Sequence, residues 1–225
     1  VRGYNVYRAD VAEGPFEKIN SDIHEFHVFS DFLGENARTC YYRVSYIDGK
    51  GSESAPSAVV SATSASMTDE QLLTSVQESA FRYFWDFVDP HSGLARESYI
   101  KPCDICTNGG TGFGMMTIMV GAERNFISRP MAAQRLLKTV RFLEENVTRY
   151  HGVWPHWFNG RTGETIPFSK PFDNGGDIVE TAFLVQGMLT IRQYFDQDNP
   201  VETELRERIT RLWEEVEWDW YLREP

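Results

Sequence analysis

Three carboxylates, Asp173, Asp177 and Glu180, stand at spacings of four and three in the stretch PFDNGGDIVETAFLVQGMLTIRQYF, residues 171–195. Those two spacings put side chains on one face of a helix. Acids so placed can do two things. One is a helix cap: D-x-x-E at Asp177 and Glu180 has the form of a capping box, with Asp177 as N-cap and Glu180 reaching back. The other is glycoside cleavage, in which one carboxylic acid protonates the leaving oxygen and one carboxylate activates water or attacks. Inverting enzymes hold the two groups about 6.5–9.5 Å apart. Along a helix, seven residues rise roughly 10 Å and three or four rise about 5–6 Å, so within this stretch only Asp173 and Glu180 approach that separation. The alternative is one acid here and its partner on another helix. A cap accounts for Asp177 and Glu180 but leaves Asp173 unexplained. As a site, Asp177 at the helix start suits a base or a hydroxyl acceptor, and Glu180, one turn deeper among apolar neighbours, suits the acid.

The rest of that stretch is apolar nearly all round: Ile178, Val179, Ala182, Phe183, Leu184, Val185, Met188, Leu189 and Ile191. Such a helix is expected to be buried on most sides, with its acidic end opening into a cavity or paired. Ahead of it lies a long connection dense in aromatics, YHGVWPHWFNGRTGETIPFSKPF, residues 150–172. A loop of that length is uncommon in a compact domain unless it carries function. Trp154, His156, Trp157 and Phe172, with Phe113 from the glycine-rich TGFG, are the candidate substrate-binding residues. Phe158 and Phe168 add to the same wall, and each aromatic taken singly serves equally well as a core plug. TNGGTGFG lacks the Lys-Ser/Thr and the preceding strand of a phosphate loop. Its glycines are expected to turn the backbone at a helix start, and Gly114 and Gly121 to allow close packing.

Further helices position this core. Pro130 starts one whose Leu136, Leu137, Val140 and Leu143 form an apolar stripe. Residues 201–221 are amphipathic, with Leu205, Ile209, Leu212, Val216 and Trp220 on one side. About five helices in hairpins, greasy inner ones alternating with charged outer ones, fit an α-hairpin toroid. Thr68 and Gln71 form a capping box that opens the first helix, followed by Leu72, Leu73, Val76, Ala80, Phe84 and Phe87 at helical spacing.

Before residue 62 the pattern is all-β. Tyr4, Val6 and Tyr7, then Tyr41, Tyr42, Val44 and Tyr46, sit in short alternating runs separated by turn signals in EGPF and DGKGSES. SATSAS, residues 61–66, reads as a linker, which divides the chain into 1–62 and 63–225. The phrase YYRVSYIDGKGSESAPS resembles a fibronectin type III-like module. A sandwich of that kind needs about seven strands. The opening ones are missing, so the module is expected to be partial and Val1 not its natural start.

Composition narrows the partners. A formal charge of −11 without clustered Lys or Arg argues against nucleic acid. A neutral ligand fits better, and 14 % aromatics suit flat apolar faces such as those of sugars. The longest apolar run, around Met115–Ala122, is far short of the roughly 20 residues of a membrane span. Cys40, Cys103 and Cys106 make no disulfide framework, and one C-x-x-C in PCDIC reads as a thiol loop or local disulfide rather than a metal centre. No metal and no cofactor are expected.

GGTGFGMM, VGAERN, HGVWPHW, DNGGDIVETAFLVQGML and the VEWDWY ending together resemble a bacterial family that often carries the provisional label glucoamylase. It includes the endo-β-1,2-glucanases of glycoside hydrolase family 144. The resemblance runs from about Thr68 to the end of the chain. It implies an (α/α)6 toroid of which this chain holds the N-terminal part, and hydrolysis of a β-linked glucan, β-1,2-linked foremost, with inversion. It also implies catalytic or sugar-holding roles for Asp173, Asp177 and Glu180. A further acid on a later motif resembling GWNE or GYNE does not occur here. The chain alone is therefore expected to hold part of a site and to be inactive, within a monomeric, secreted or periplasmic protein. Other readings are a non-catalytic glycan-binding protein and another toroid enzyme, such as a lyase or phosphorylase.

Overall fold

A computed structural model describes the chain except at positions 26–27, 99–103, 168–173 and 223–225. Asp173, Phe172, Phe168 and Cys103 thus lie outside the described residues. Two units form, residues 1–75 and 76–225.

The first unit carries one antiparallel sheet. Its strands are β1 (Gly3–Ala9), β2 (Glu17–Lys18), β3 (Thr39–Ile47) and β4 (Val60–Thr63), in the order β2-β1-β3-β4. β1 and β3 pair from Gly3↔Ile47 to Ala9↔Tyr41, which brings together the two aromatic-rich runs of the sequence. Val6, Ala9, Cys40 and Ile47 are buried on it. Residues 61–63, expected in a linker, instead belong to edge strand β4, where Cys40↔Ala62 and Tyr41↔Ser61 pair. Small polar residues suffice there because the backbone ladder and a Thr39–Thr63 hydroxyl contact of 2.8 Å hold the strand.

A polar knot braces the sheet. Asn20 Oδ1 accepts the Val6 amide at 2.7 Å, and Arg8 donates to both oxygens of Asp31 at 2.9 Å. Glu53 accepts from the Ser45 hydroxyl, from Tyr7 at 2.5 Å and from Asn5 Nδ2 at 3.0 Å. Those three donors hold its carboxyl down at about 2, Ser45 contributing most. The unfolded value is about 4.3, so the native state gains from Glu53 above that pH and loses the gain as pH falls toward 2. The denaturation midpoint of this unit, followed by NMR of the β1 and β3 amides, is therefore expected to drop between about pH 5 and 2, and less steeply in Glu53→Gln. Identical acid profiles for the two proteins would contradict the role given to Glu53.

Helix α1 (Asp69–Asp86) opens with the expected reciprocal box: the Thr68 amide donates to Gln71 Oε1 at 2.9 Å and the Gln71 amide to Thr68 Oγ1 at 3.3 Å. Its early apolar residues Leu72, Leu73 and Val76 are exposed. Its last turns bury Phe81 and set Phe84 against α2 (Asn108–Glu123). Then come β5 (Ile105–Thr107), which precedes α2, α3 (Arg129–Glu145), β6 (Trp157–Asn159), α4 (Ile178–Tyr194), α5 (Pro200–Glu214) and a 3-10 turn at Trp218–Tyr221. β5 pairs with β6, Cys106 opposite Phe158. Cys106 is a core thiol that burial pushes up to about 12, which makes it unreactive.

α3 has the expected stripe, with Leu136, Leu137, Val140 and Leu143 all buried, and Ser128 caps it by accepting the Met131 amide. α5 buries Leu205, Ile209 and Leu212 and faces α3 through Arg208, Arg211 and Arg141 on Glu144 and Glu204. This helix ends at Glu214, so Trp220 leaves the amphipathic stripe predicted for it and stacks on His151 with ring centroids 3.8 Å apart. Arg129 ties α3 to the start of α5: it donates to Glu202 at 2.8 and 3.0 Å and to the Tyr194 carbonyl at 2.8 Å.

The two greasy helices, α2 and α4, lie side by side. Asn108 meets Thr181, Gly109 meets Glu180 and Gly112 meets Leu184, so they run parallel. The glycines expected to make a turn are instead inside α2. A Cβ on Gly112 would lie 2.3 Å from the Phe183 carbonyl oxygen, and one on Gly187 would lie 2.3 Å from that of Gly112. Only glycine lets the two backbones approach this closely. Gly114 and Gly121 face the rings of Phe84 and Phe81, the close packing read from the sequence.

Candidate active site

The start of α4 is set by Asp177. Its Oδ1 accepts the Val179 and Glu180 amides, both at 3.0 Å, the N-cap that its position directly after a Gly-Gly pair foretold. Its Oδ2 meets Nδ1 of His156 at 2.8 Å, and its own amide donates to the Trp154 carbonyl at 2.9 Å. Both carboxylate oxygens of Asp177 are thus engaged, which suits holding the helix start and His156 better than taking a proton from water.

The reciprocal half of the expected box does not form. Glu180 reaches across to α2, where its Oε2 accepts the Gly109 amide at 3.0 Å. The acid placed by spacing among apolar neighbours thus faces the positive end of a second helix. Space sets this pairing, since a Cβ on Gly109 would lie 2.2 Å from the same oxygen. Asp177 and Glu180 are both half-buried.

Around the acids, the predicted aromatic wall divides. Trp154 is completely buried, and its Nε1 donates to the Leu143 carbonyl at 3.3 Å. Phe158 is also in the core. Neither ring has a face for a ligand to stack on, because both fill the space between β6 and the helices. His156 and Trp157 stay half-exposed and stack on each other, ring centroids 3.6 Å apart and 19° from parallel. Trp157 Nε1 also donates to Glu97 at 3.2 Å.

Phe113 is exposed on α2, one turn beyond Gly109, and packs on Phe183 of α4 with centroids 5.4 Å apart. Phe183 lies three residues after Glu180, on its face of the helix. Sequence reasoning placed Phe183 and Val179 in a helix apolar nearly all round and buried on most sides, yet Phe183 is 42 % exposed and Val179 is 60 % exposed. The α2–α4 shelf thus shows two aromatic rings next to a carboxylate. Asn108 and Thr181, both fully buried beneath this shelf, were also missed. The only sequence signal for them is their place inside the TNGGTGF and DIVETAF phrases.

Two concavities lie away from these residues. One, of about 350 Å³, is lined by Val6, Phe29, Asp31 and Tyr42 on the sheet of the first unit. The other, of about 440 Å³, lies beside α3 at His91, Lys138 and Arg141. The described candidate residues line neither of them. Among the described residues no group of three His, Cys, Asp or Glu could hold a metal ion, and no helix is long and apolar enough to cross a membrane.

No model of a known protein family matches the chain. It is 50 % identical over 193 residues to an exo β-1,2-glucooligosaccharide sophorohydrolase (non-reducing end) of Parabacteroides distasonis, a match over 86 % of this chain and 27 % of that protein. The crystal structure of a β-1,2-glucanase from Parabacteroides distasonis superposes with a TM-score of 0.89 at 44 % identity, over 98 % of this chain and 31 % of that one. An endo-β-1,2-glucanase from Chitinophaga pinensis, solved with sophorotriose and glucose, matches at 45 % identity and a TM-score of 0.65, over 69 % of this chain and 38 % of that one. By sequence and by fold the chain is thus similar to bacterial β-1,2-glucanases, and it spans between 27 % and 38 % of their lengths.

Proposed function

We propose that the protein containing this chain is a glycoside hydrolase acting on a β-linked glucan, with β-1,2-glucan as the first candidate substrate. The observation that carries the reading is the α2–α4 shelf, where Glu180 stands at a helix start with the exposed Phe113–Phe183 pair beside it and Asp177 locked behind. Aromatic faces next to a carboxylate suit a sugar ring whose glycosidic oxygen receives a proton. The relatives named as β-1,2-glucanases support the linkage.

In this reading Glu180 is the proton donor. The Asp177 carboxylate holds the helix start and fixes His156, whose Nδ1 it meets, so that the ring offers its other nitrogen to a sugar hydroxyl. The carboxylate that activates water comes from Asp173 or from a residue outside this chain. The helical unit is then part of an (α/α)6 toroid preceded by a fibronectin type III-like module, in a monomeric periplasmic or secreted protein.

Incubating the complete protein with β-1,2-glucan and following the products by NMR tests this. Shortened chains whose new reducing ends first appear as α-anomers are the expected result, because inversion at a β-linkage yields the α-configuration. Glucan retained without shortening would make the protein a binder instead. Unsaturated ends would indicate a lyase, and dependence on phosphate a phosphorylase.

A further inference from the structure

Beneath the shelf lies a buried tie that no reacting group touches. Asn108, the first residue of α2, donates from Nδ2 to Thr181 Oγ1 at 3.0 Å and to the Trp154 carbonyl at 3.4 Å. Its backbone amide donates to the His156 carbonyl at 3.0 Å. Thr181 Oγ1 in turn accepts the Trp154 amide at 3.1 Å. Asn108, Thr181 and Trp154 have no solvent exposure at all. Among the described residues Asn108 Oδ1 has no partner, and the amide is held by its donor end. Buried donors and acceptors joined this way are costly to break and fix geometry tightly.

The tie connects every described segment that carries a candidate catalytic acid or His156. The next residue after Asn108 gives its amide to Glu180. The residue before Thr181 is Glu180 itself, and Asp177 gives its amide to the same Trp154 carbonyl that Asn108 and Thr181 approach. His156 is two residues beyond Trp154. We propose that Asn108 and Thr181 are positioning residues that set the register of α2 against α4, and thereby the placement of Glu180 and His156 relative to a bound glycosidic bond. This rests on the glycosidase reading above. A misplacement of about 1 Å is enough to cost roughly a hundredfold in rate, so a hydrogen bond remote from the substrate can govern turnover.

Thr181→Val in the complete protein tests the proposal, since it keeps the shape and deletes the hydroxyl. The expected result is a kcat on β-1,2-glucan lower by about 10- to 100-fold with KM little changed. Thr181→Ser is expected to restore most of the rate. Hydrogen exchange supplies a readout that does not depend on chemistry: the Gly109 and Trp154 amides are expected to exchange about tenfold faster or more in Thr181→Val, with α3 and α5 unaffected. Unchanged kcat together with unchanged exchange at Gly109 would overturn the proposal. So would a loss of rate that Thr181→Ser does not restore, or one matched by faster exchange throughout the helices, because those mark general loosening. If the wild-type protein cleaves no glucan but Gly109 exchange still responds to Thr181→Val, the tie stands and the glycosidase reading falls.

Discussion

Glu180→Gln in the complete protein is expected to lower kcat on β-1,2-glucan by about 10²- to 10⁴-fold, the range that a positioned proton donor contributes. The substitution separates chemistry from structure. The glutamine amide keeps a carbonyl oxygen that can still accept the Gly109 amide, so the α2–α4 contact at this point survives. What is lost is the proton. KM should move little, since the exposed Phe113–Phe183 pair and the half-exposed Trp157 are untouched. Steady-state kinetics checks this, with the melting temperature as a control for folding. Turnover equal to wild type would remove Glu180 from the reaction and leave it a partner of the α2 N-terminus.

Gly112→Ala is expected to destabilise the helical unit by about 3 kcal/mol or more, among the larger effects a single methyl group can have. The added carbon would sit 2.3 Å from the Phe183 carbonyl oxygen and 2.7 Å from Leu184 Cα. Both are backbone atoms of α4 and cannot swing aside, so the helices must separate. Separation also pulls Gly109 from Glu180, and what protein remains folded should have lost turnover. Gly175→Ala is the comparison, because a Cβ there meets nothing within 4 Å among the described residues. Its effect should be within about 0.5 kcal/mol. Denaturant titration followed by Trp fluorescence reports on this unit, since all six Trp lie within it. Equal midpoints for the two variants would show that the close approach is not required.

The parts legible in the sequence are those governed by near neighbours. The stripe at Leu136, Leu137, Val140 and Leu143 is readable because period 3.6 alone decides which side of α3 is buried. The Thr68–Gln71 box and the Asp177 cap are readable because a cap is closed within three residues. Glu180 reads as half of a box because its actual partner, the Gly109 amide, is 71 residues away. The glycines of α2 are a similar case, since nothing near Gly112 reveals that another backbone will pass it. Trp154 and Trp157 look alike in a loop that has no period, and only the packing of β6 buries one and leaves the other half-open. The sheet edge at residues 61–63 is hidden because its ladder is made by backbone rather than by apolar side chains.

The parallel run of α2 and α4 brings two helix N-termini, and two positive dipole ends, to one edge of the unit. Carboxylates are usually a burden where a reaction requires them half-buried, and enzymes often gain stability when such groups are removed. At this edge the sign is reversed. A negative charge at a helix start is worth about 0.3–1 kcal/mol, so the fold favours keeping an acid at position 180 independently of any substrate. A search for stabilising substitutions would have no reason to discard this residue.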